Sequence, residues 1–217
     1  MKQKILIGCI DKQIAEVYHD QHSLRYVEEV LRDEEYKFLL DEIKKKKDLV
    51  VIDIGSNIGT FSFYIYDIAS QIYAIEPLPE LVHTINKTVK ENQLNKIRTY
   101  MLAIGDSTGK RMFNRVEPIG AGASFLSSKG TQEVNAMTLN DFCKERRIKH
   151  IDLLKIDTEG EELKIIESID FEKLSVDCII GEVHVGNVNQ NNFLSLLSRK
   201  GYKTEEFGHE FIGVKLC

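Results

Sequence analysis

The chain has 217 residues, 42% of them hydrophobic and 29% charged, with a formal net charge of −5. That length holds one domain with a sizeable core and leaves little room for a second. The acidic balance removes the electrostatic footprint of a nucleic-acid binder, and no apolar run approaches the length needed to cross a bilayer. Cys9, Cys143, Cys178 and Cys217 lie far apart, so no C-x-x-C metal or redox motif exists. The apolar run within Met1–Ile10 is too short for a secretory signal, and Asp11 and Lys12 follow at once. Reduced thiols and a cytoplasmic location are therefore expected.

Residues 1–48 read as a separate N-terminal helical or cap segment. Val27, Leu31, Phe38 and Leu39 suggest helix, and Lys44 to Lys47 suit a solvated helix end. The segment is expected to pack over the functional edge of the sheet that follows. From residue 49, short apolar runs alternate with amphipathic stretches, which predicts an α/β fold with a parallel sheet. Leu49 to Ile52 form the first strand, unbroken and β-branched as a strand buried on both faces should be. Phe61, Tyr64, Ile65 and Ile68 recur at helical spacing. Ile72 to Ile75 form the second strand. Leu81, Ile85 and Val89 mark a helix whose start suits Pro77 and Pro79. Ile97 to Ala103 are the third strand.

The stretch 104–136 is less regular: a turn at Asp106 to Gly109, a candidate strand at Arg111 to Asn114, and a loop at Ile119 to Ser124. Thr138 is the expected N-cap of a helix running to about Arg147. Ile151 to Ile156 form the fourth strand. Leu163, Ile166 and Ile169 lie on the next helix, Val176 to Val183 form the fifth strand, and Phe193 to Leu197 sit on another helix. Tyr202 to Phe207 and Phe211 to Leu216, joined by a turn at Gly208, predict an antiparallel pair.

The first strand ends in Asp53-Ile54-Gly55-Ser56-Asn57-Ile58-Gly59 and a helix follows. Glycine there permits a tight turn and close approach of a ligand, and a helix start offers free N–H groups to an anionic group. The dinucleotide fingerprint needs glycine at three places that here hold Gly55, Asn57 and Thr60, so two are lost. The Gly-Lys-Ser/Thr of a Walker loop is also absent. S-adenosylmethionine has no pyrophosphate and offers an amino-acid end that Asn57 can hydrogen-bond. Glu76 ends the second strand 76 − 53 = 23 residues after Asp53, close to the spacing of an acid that binds ribose hydroxyls. Asp53 either contacts the cofactor or holds the backbone N–H groups of the loop.

Polar or glycine residues follow all five strands: Asp53 and Gly55, Glu76, Ala103 to Asp106, Asp157 to Gly160, and Glu182 with His184. Open α/β sheets bind ligands at such strand ends. Asp106 also reads as a turn residue. Glu159 suits a helix first turn, and Glu161 and Glu162 read as first-turn acids favoured by the helix dipole. His184 reads equally as a structural histidine. Lys155, inside an apolar strand, needs a carboxylate partner.

At these residues the chain resembles the FkbM family of methyltransferases. The motifs are Val51 to Gly59, Ile75-Glu76-Pro77, Ala103-Ile104-Gly105-Asp106, Met137 to Asp141, Asp152 to Gly160 and Glu182-Val183-His184, and the match spans about residues 48–216. Lys155 to Gly160 is its most specific run. The resemblance implies a Rossmann-like doubly wound sheet of seven strands with the last antiparallel, filling a catalytic domain over 49–217. It implies S-adenosylmethionine as donor, with Asp53, Gly55, Ser56, Asn57, Gly59, Glu76, Pro77, Ala103, Ile104 and Asp157 as cofactor contacts. More loosely, it implies O-methylation of a hydroxyl on a sugar or secondary metabolite, a small-molecule or glycan acceptor. N-methylation of a peptide amide, or a non-catalytic cofactor-binding module, are the alternatives.

The candidates for a base are Asp157, Glu159 and His184, the histidine having the most suitable ordinary pKa. Those three with Glu182 offer donors to a divalent cation, but their spacing matches no metal motif and none is expected.

Overall fold

A computed structural model describes residues 1–9, 11, 13–19, 27, 30, 36, 43, 46–115, 130–184 and 190–216. The chain divides into two compact units that change over between Met101 and Leu102. The first unit opens with β1 (Lys2–Ile7) and β2 (Gln13–Tyr18), an antiparallel pair. This corrects the expectation of helix for the start of the 1–48 segment. Ile7, Ala15 and Val17 face inward, while Lys4, Leu6 and Ile14 are exposed. Apolar residues on both faces hide the period of two that marks a strand. Of the four residues that suggest helix, Val27 is described and helical, and Leu31, Phe38 and Leu39 lie outside the described residues.

The hairpin is anchored by side chains that mimic a neighbouring strand. Asn92 accepts from the Glu16 N–H at 2.8 Å and donates to the Glu16 carbonyl at 2.8 Å. Thr88 Oγ1 accepts from the Tyr18 N–H at 3.1 Å. Asp67 accepts from the N–H groups of Cys9 and Asp11 at 3.0 and 2.6 Å. An open strand edge is thereby satisfied without another strand.

In the same unit, β3 (Leu49–Ile54), β4 (Ala69–Glu76) and β5 (Ile97–Met101) are parallel neighbours. Val51, Ile52, Ile54, Ile72, Ala74 and Ile75 are all buried, as the β-branched run requires. Helix α1 (Thr60–Tyr64) has only five residues, shorter than the spacing of Phe61 to Ile68 suggested. Helix α2 (Pro79–Glu91) begins with proline at its first turn and buries Leu81, Ile85 and Thr88.

The second unit contains a small sheet of β6 (Ala103–Ile104), β7 (Gly109–Phe113) and β8 (Gln132–Met137). The expected third strand is thus broken at Leu102, and its end pairs with β8 instead. Strand β8 was not anticipated because Val134 and Ala136 are its only buried side chains among residues with weak strand preference. The expected loop at 119–124 lies outside the described residues. Thr138 caps α3 (Leu139–Arg146), its hydroxyl accepting from the Asp141 N–H at 3.1 Å.

Strands β9 (His150–Ile156) and β10 (Ser175–Glu182) are parallel, with α4 (Glu162–Ser168) between them in sequence. After α5 (Gln190–Arg199), β11 (Tyr202–Phe207) and β12 (Glu210–Lys215) form the expected antiparallel pair, and β12 runs antiparallel to β10. Tyr202 secures this corner by donating its buried hydroxyl to the Val176 carbonyl at 2.7 Å. The principal sheet has seven strands in the order β11-β12-β10-β9-β3-β4-β5, a mixed α/β sheet closed by an antiparallel strand. Among the described residues no helix is long and apolar enough to cross a membrane.

Candidate active site

In the first unit, the turn after β3 is built by backbone conformation. Gly55, Asn57 and Gly59 have φ of 73°, 51° and 88°, left-handed values that glycine and asparagine tolerate best. The N–H groups of Gly55 and Ser56 both donate to the Ile75 carbonyl, at 3.0 and 3.1 Å, which ties the turn to β4. Glu76, at the end of β4, accepts from the Asn57 N–H and the Leu78 N–H, each at 3.0 Å. One carboxylate therefore joins the glycine turn to the start of α2. Pro77 is half-buried beside it.

Asp53 is fully buried, and the Ser62 hydroxyl donates to it at 2.6 Å. It braces α1 against the end of β3. Ser56 is buried too, and its Oγ has no hydrogen-bond partner among the described residues. A buried hydroxyl left unpaired is costly, and at a ligand-binding turn it marks a place for a polar group.

In the second unit, Ala103 and Ile104 are buried in β6. Asp106 pairs with Arg111 at 2.8 Å across the turn before β7. Asp157, Glu159, Glu182 and His184 gather at the carboxyl ends of β9 and β10. His184 Nε2 is 3.2 Å from Glu159, 3.7 Å from Glu182 and 4.0 Å from Asp157. Its Nδ1 is 3.1 Å from Glu162. Lys155, nearly fully buried, finds the carboxylate it needs in Asp157 at 3.0 Å.

Burial acts on His184 more than any other single influence and disfavours its charge. The Glu162 hydrogen bond and the charges of Glu159, Glu162 and Asp157 outweigh it and push the imidazole up to about 9. Of the three candidate bases, Asp157, Glu159 and His184, this weighs against His184. At neutral pH it is an imidazolium among carboxylates and has no lone pair to accept a proton. Burial is also the main reason that the Glu159 carboxyl lies above its ordinary value, against the pull of His184 and with the push of Asp157 and Glu182. For Glu162, burial opposes ionisation, but donors from His184, Gly160 and Thr158 prevail and hold its carboxyl below the usual range.

Donor atoms of Asp157, Glu182 and His184 lie within 4.8 Å of one another, close enough to surround a small cation once the Nε2 proton is lost. His150, Asp152 and Asp177 form a second such group at the opposite ends of β9 and β10. The first-turn reading of Glu162 holds and is incomplete. It does begin α4, but its side chain is only 3% exposed and turns into the cluster. Glu161 is buried as well and pairs with Lys164 at 2.9 Å. The sequence held no signal that separates these two neighbours.

A parallel α/β sheet closed by an antiparallel strand, with a glycine turn after its first parallel strand, defines the class I methyltransferase fold. Residues 53–204 match the Methyltransferase FkbM domain, and the chain belongs to that family. It is 27% identical over 202 residues to "Hexuronic acid methyltransferase AglP" of Haloferax volcanii, covering 88% of this chain and 82% of the relative. It is 23% identical over 184 residues to "Methyltransferase 1" of Beauveria bassiana, covering 71% and 72%. A solved methyltransferase from Geobacter sulfurreducens superposes with a TM-score of 0.54 at 14% identity, over 92% of this chain and 93% of that one. That likeness concerns the fold alone.

Proposed function

We propose that the chain transfers a methyl group from S-adenosylmethionine to an oxygen of a sugar acid or a related small saccharide. The donor reading is carried by the Glu76 clamp on the glycine turn. A carboxylate has acceptor positions for more than two donors, and a vicinal ribose diol is the kind of donor that suits it. Ser56, with a buried hydroxyl that has no partner among the described residues, fits the polar amino-acid end of the same molecule. The acceptor reading is supported by the hexuronic acid named for the Haloferax relative.

When bound, S-adenosylmethionine supplies a methyl group already activated on a sulfonium. The chain's residues supply binding, orientation and proton transfer. Gly55, Asn57 and Gly59 shape the turn, and Glu76 fixes it. For a hydroxyl acceptor, Glu159 is the base: burial holds its carboxyl above the ordinary value and makes it a stronger proton acceptor than an exposed carboxylate. His184, as imidazolium, holds that carboxylate in place at 3.2 Å. A carboxylate acceptor brings no proton and makes Glu159 dispensable.

The test is a methylation assay with S-adenosylmethionine and either a free hexuronic acid, a hexuronate-containing oligosaccharide or the neutral hexose. Mass spectrometry should find one added CH2 on the uronate substrates. Cofactor binding by calorimetry with no methylated saccharide would sink the acceptor class, and absent binding would sink the donor as well.

A further inference from the structure

We propose that Glu162 is the positioning residue of this site, one buried carboxylate oxygen that sets both the loop carrying Glu159 and the ring of His184. The proposal rests on the role given above to the Glu159 and His184 pair. Glu162 Oε1 accepts from the Thr158 N–H at 2.9 Å, the Thr158 hydroxyl at 3.2 Å and the Gly160 N–H at 3.1 Å. These donors bracket Glu159 on both sides. Glu159 itself has φ of 61°, which a glutamate does not adopt unaided, so the bracket is what keeps its side chain at the cluster. The same oxygen lies 3.1 Å from His184 Nδ1.

A carboxylate 3% exposed at a helix start is more than a dipole partner, because a dipole acid keeps its hydration. Burial of its charge is tolerated because donors converge on one oxygen. Its neighbour Glu161, also buried, contacts Lys164 instead. Of two adjacent acids, Glu162 is the one bonded to both the loop and the histidine.

The consequence is chemical. With Nδ1–H donated to Glu162, a neutral His184 carries its proton on Nδ1 and keeps its lone pair on Nε2. That nitrogen is the one facing Glu159, Glu182 and Asp157. Glu162 thereby fixes the ring so that Nε2 faces Glu159 whether His184 is charged or neutral, without touching an acceptor itself.

Two measurements test this. In the wild-type chain labelled with ¹⁵N-histidine, nuclear magnetic resonance above the His184 pKa should show the Nδ1–H tautomer. A dominant Nε2–H tautomer overturns the proposal, and this reading needs neither a substrate nor turnover. Second, Glu162→Gln keeps an oxygen for the Thr158 and Gly160 donors but loses the charge. It should keep its circular dichroism and its KM for S-adenosylmethionine, while kcat falls by about 10–100-fold, the scale of a small misplacement. An unchanged kcat overturns the proposal. If Glu162→Gln fails to fold, the tautomer in the wild-type chain decides. If no saccharide is methylated, the proposed function fails while the tautomer still decides the role of Glu162.

Discussion

Gly181 of β10 lies against Ile156 of β9 so closely that a Cβ at position 181 would fall 1.7 Å from the Ile156 carbonyl oxygen. The two are register partners, and the residues that follow them in the chain are Glu182 and Asp157. Gly181→Ala must therefore push the two site-bearing strand ends apart. The expected loss is about 3 kcal/mol in urea denaturation, at the upper end of overpacking costs. Gly213→Ala, whose nearest contact would be an ordinary 3.4 Å to Leu197, should cost less than about 1 kcal/mol. Equal losses in the two variants would contradict the close approach.

Glu76 should matter to cofactor binding as well as to the turn it clamps. Hydrogen bonds to a charged group contribute about 1.5–3 kcal/mol, so Glu76→Ala should weaken S-adenosylmethionine by about 10–100-fold in calorimetry. Unaltered affinity would remove Glu76 from the cofactor site.

His184 gives the protein a signature in pH. Its folded pKa of about 9 stands above the ordinary 6.5, so the folded chain holds the proton more tightly. The resulting stabilisation is complete below 6.5 and disappears as pH rises through about 9. The Tm difference between wild type and His184→Gln should be largest in mildly acid solution and shrink in alkaline solution. A difference that is flat with pH would show that the carboxylates do not hold an imidazolium.

Asn92→Ala removes both bonds to Glu16 and leaves the Glu16 N–H without that acceptor. A cost of about 1–3 kcal/mol is expected. Hydrogen exchange should report it at the Glu16 amide, with little change at Asn57. Protection retained at Glu16 would show that the hairpin does not depend on this bracket.

Leu49 to Ile52, Ile151 to Ile156 and the pair at Tyr202 to Leu216 could be read from sequence because unbroken apolar runs and a short turn dictate their geometry locally. The glycine turn and the Thr138 cap were readable for the same reason. The hairpin at Lys2 to Tyr18 was not, since exposed Leu6 and Ile14 mask its alternation and its edge is satisfied by Asn92, more than seventy residues away. Glu162 was readable as a first-turn acid and nothing more. Its burial depends on His184, 22 residues on, and the charge state of His184 depends in turn on carboxylates from two strand ends. Local pattern locates such groups; their chemistry is fixed only when the tertiary structure brings them together.

The left-handed backbone at Glu159 sets stability and activity against each other at one position. An L-residue with a long side chain held at φ of 61° carries roughly 1 kcal/mol of strain that glycine would not. Glu159→Gly should relieve that strain and remove a carboxylate whose burial costs more than its pairing with His184 returns. The variant is expected to melt at a higher temperature than the wild type while methylating a hydroxyl acceptor more slowly. Selection for thermal robustness alone would then drift toward glycine at 159, whereas selection for turnover would hold the glutamate there.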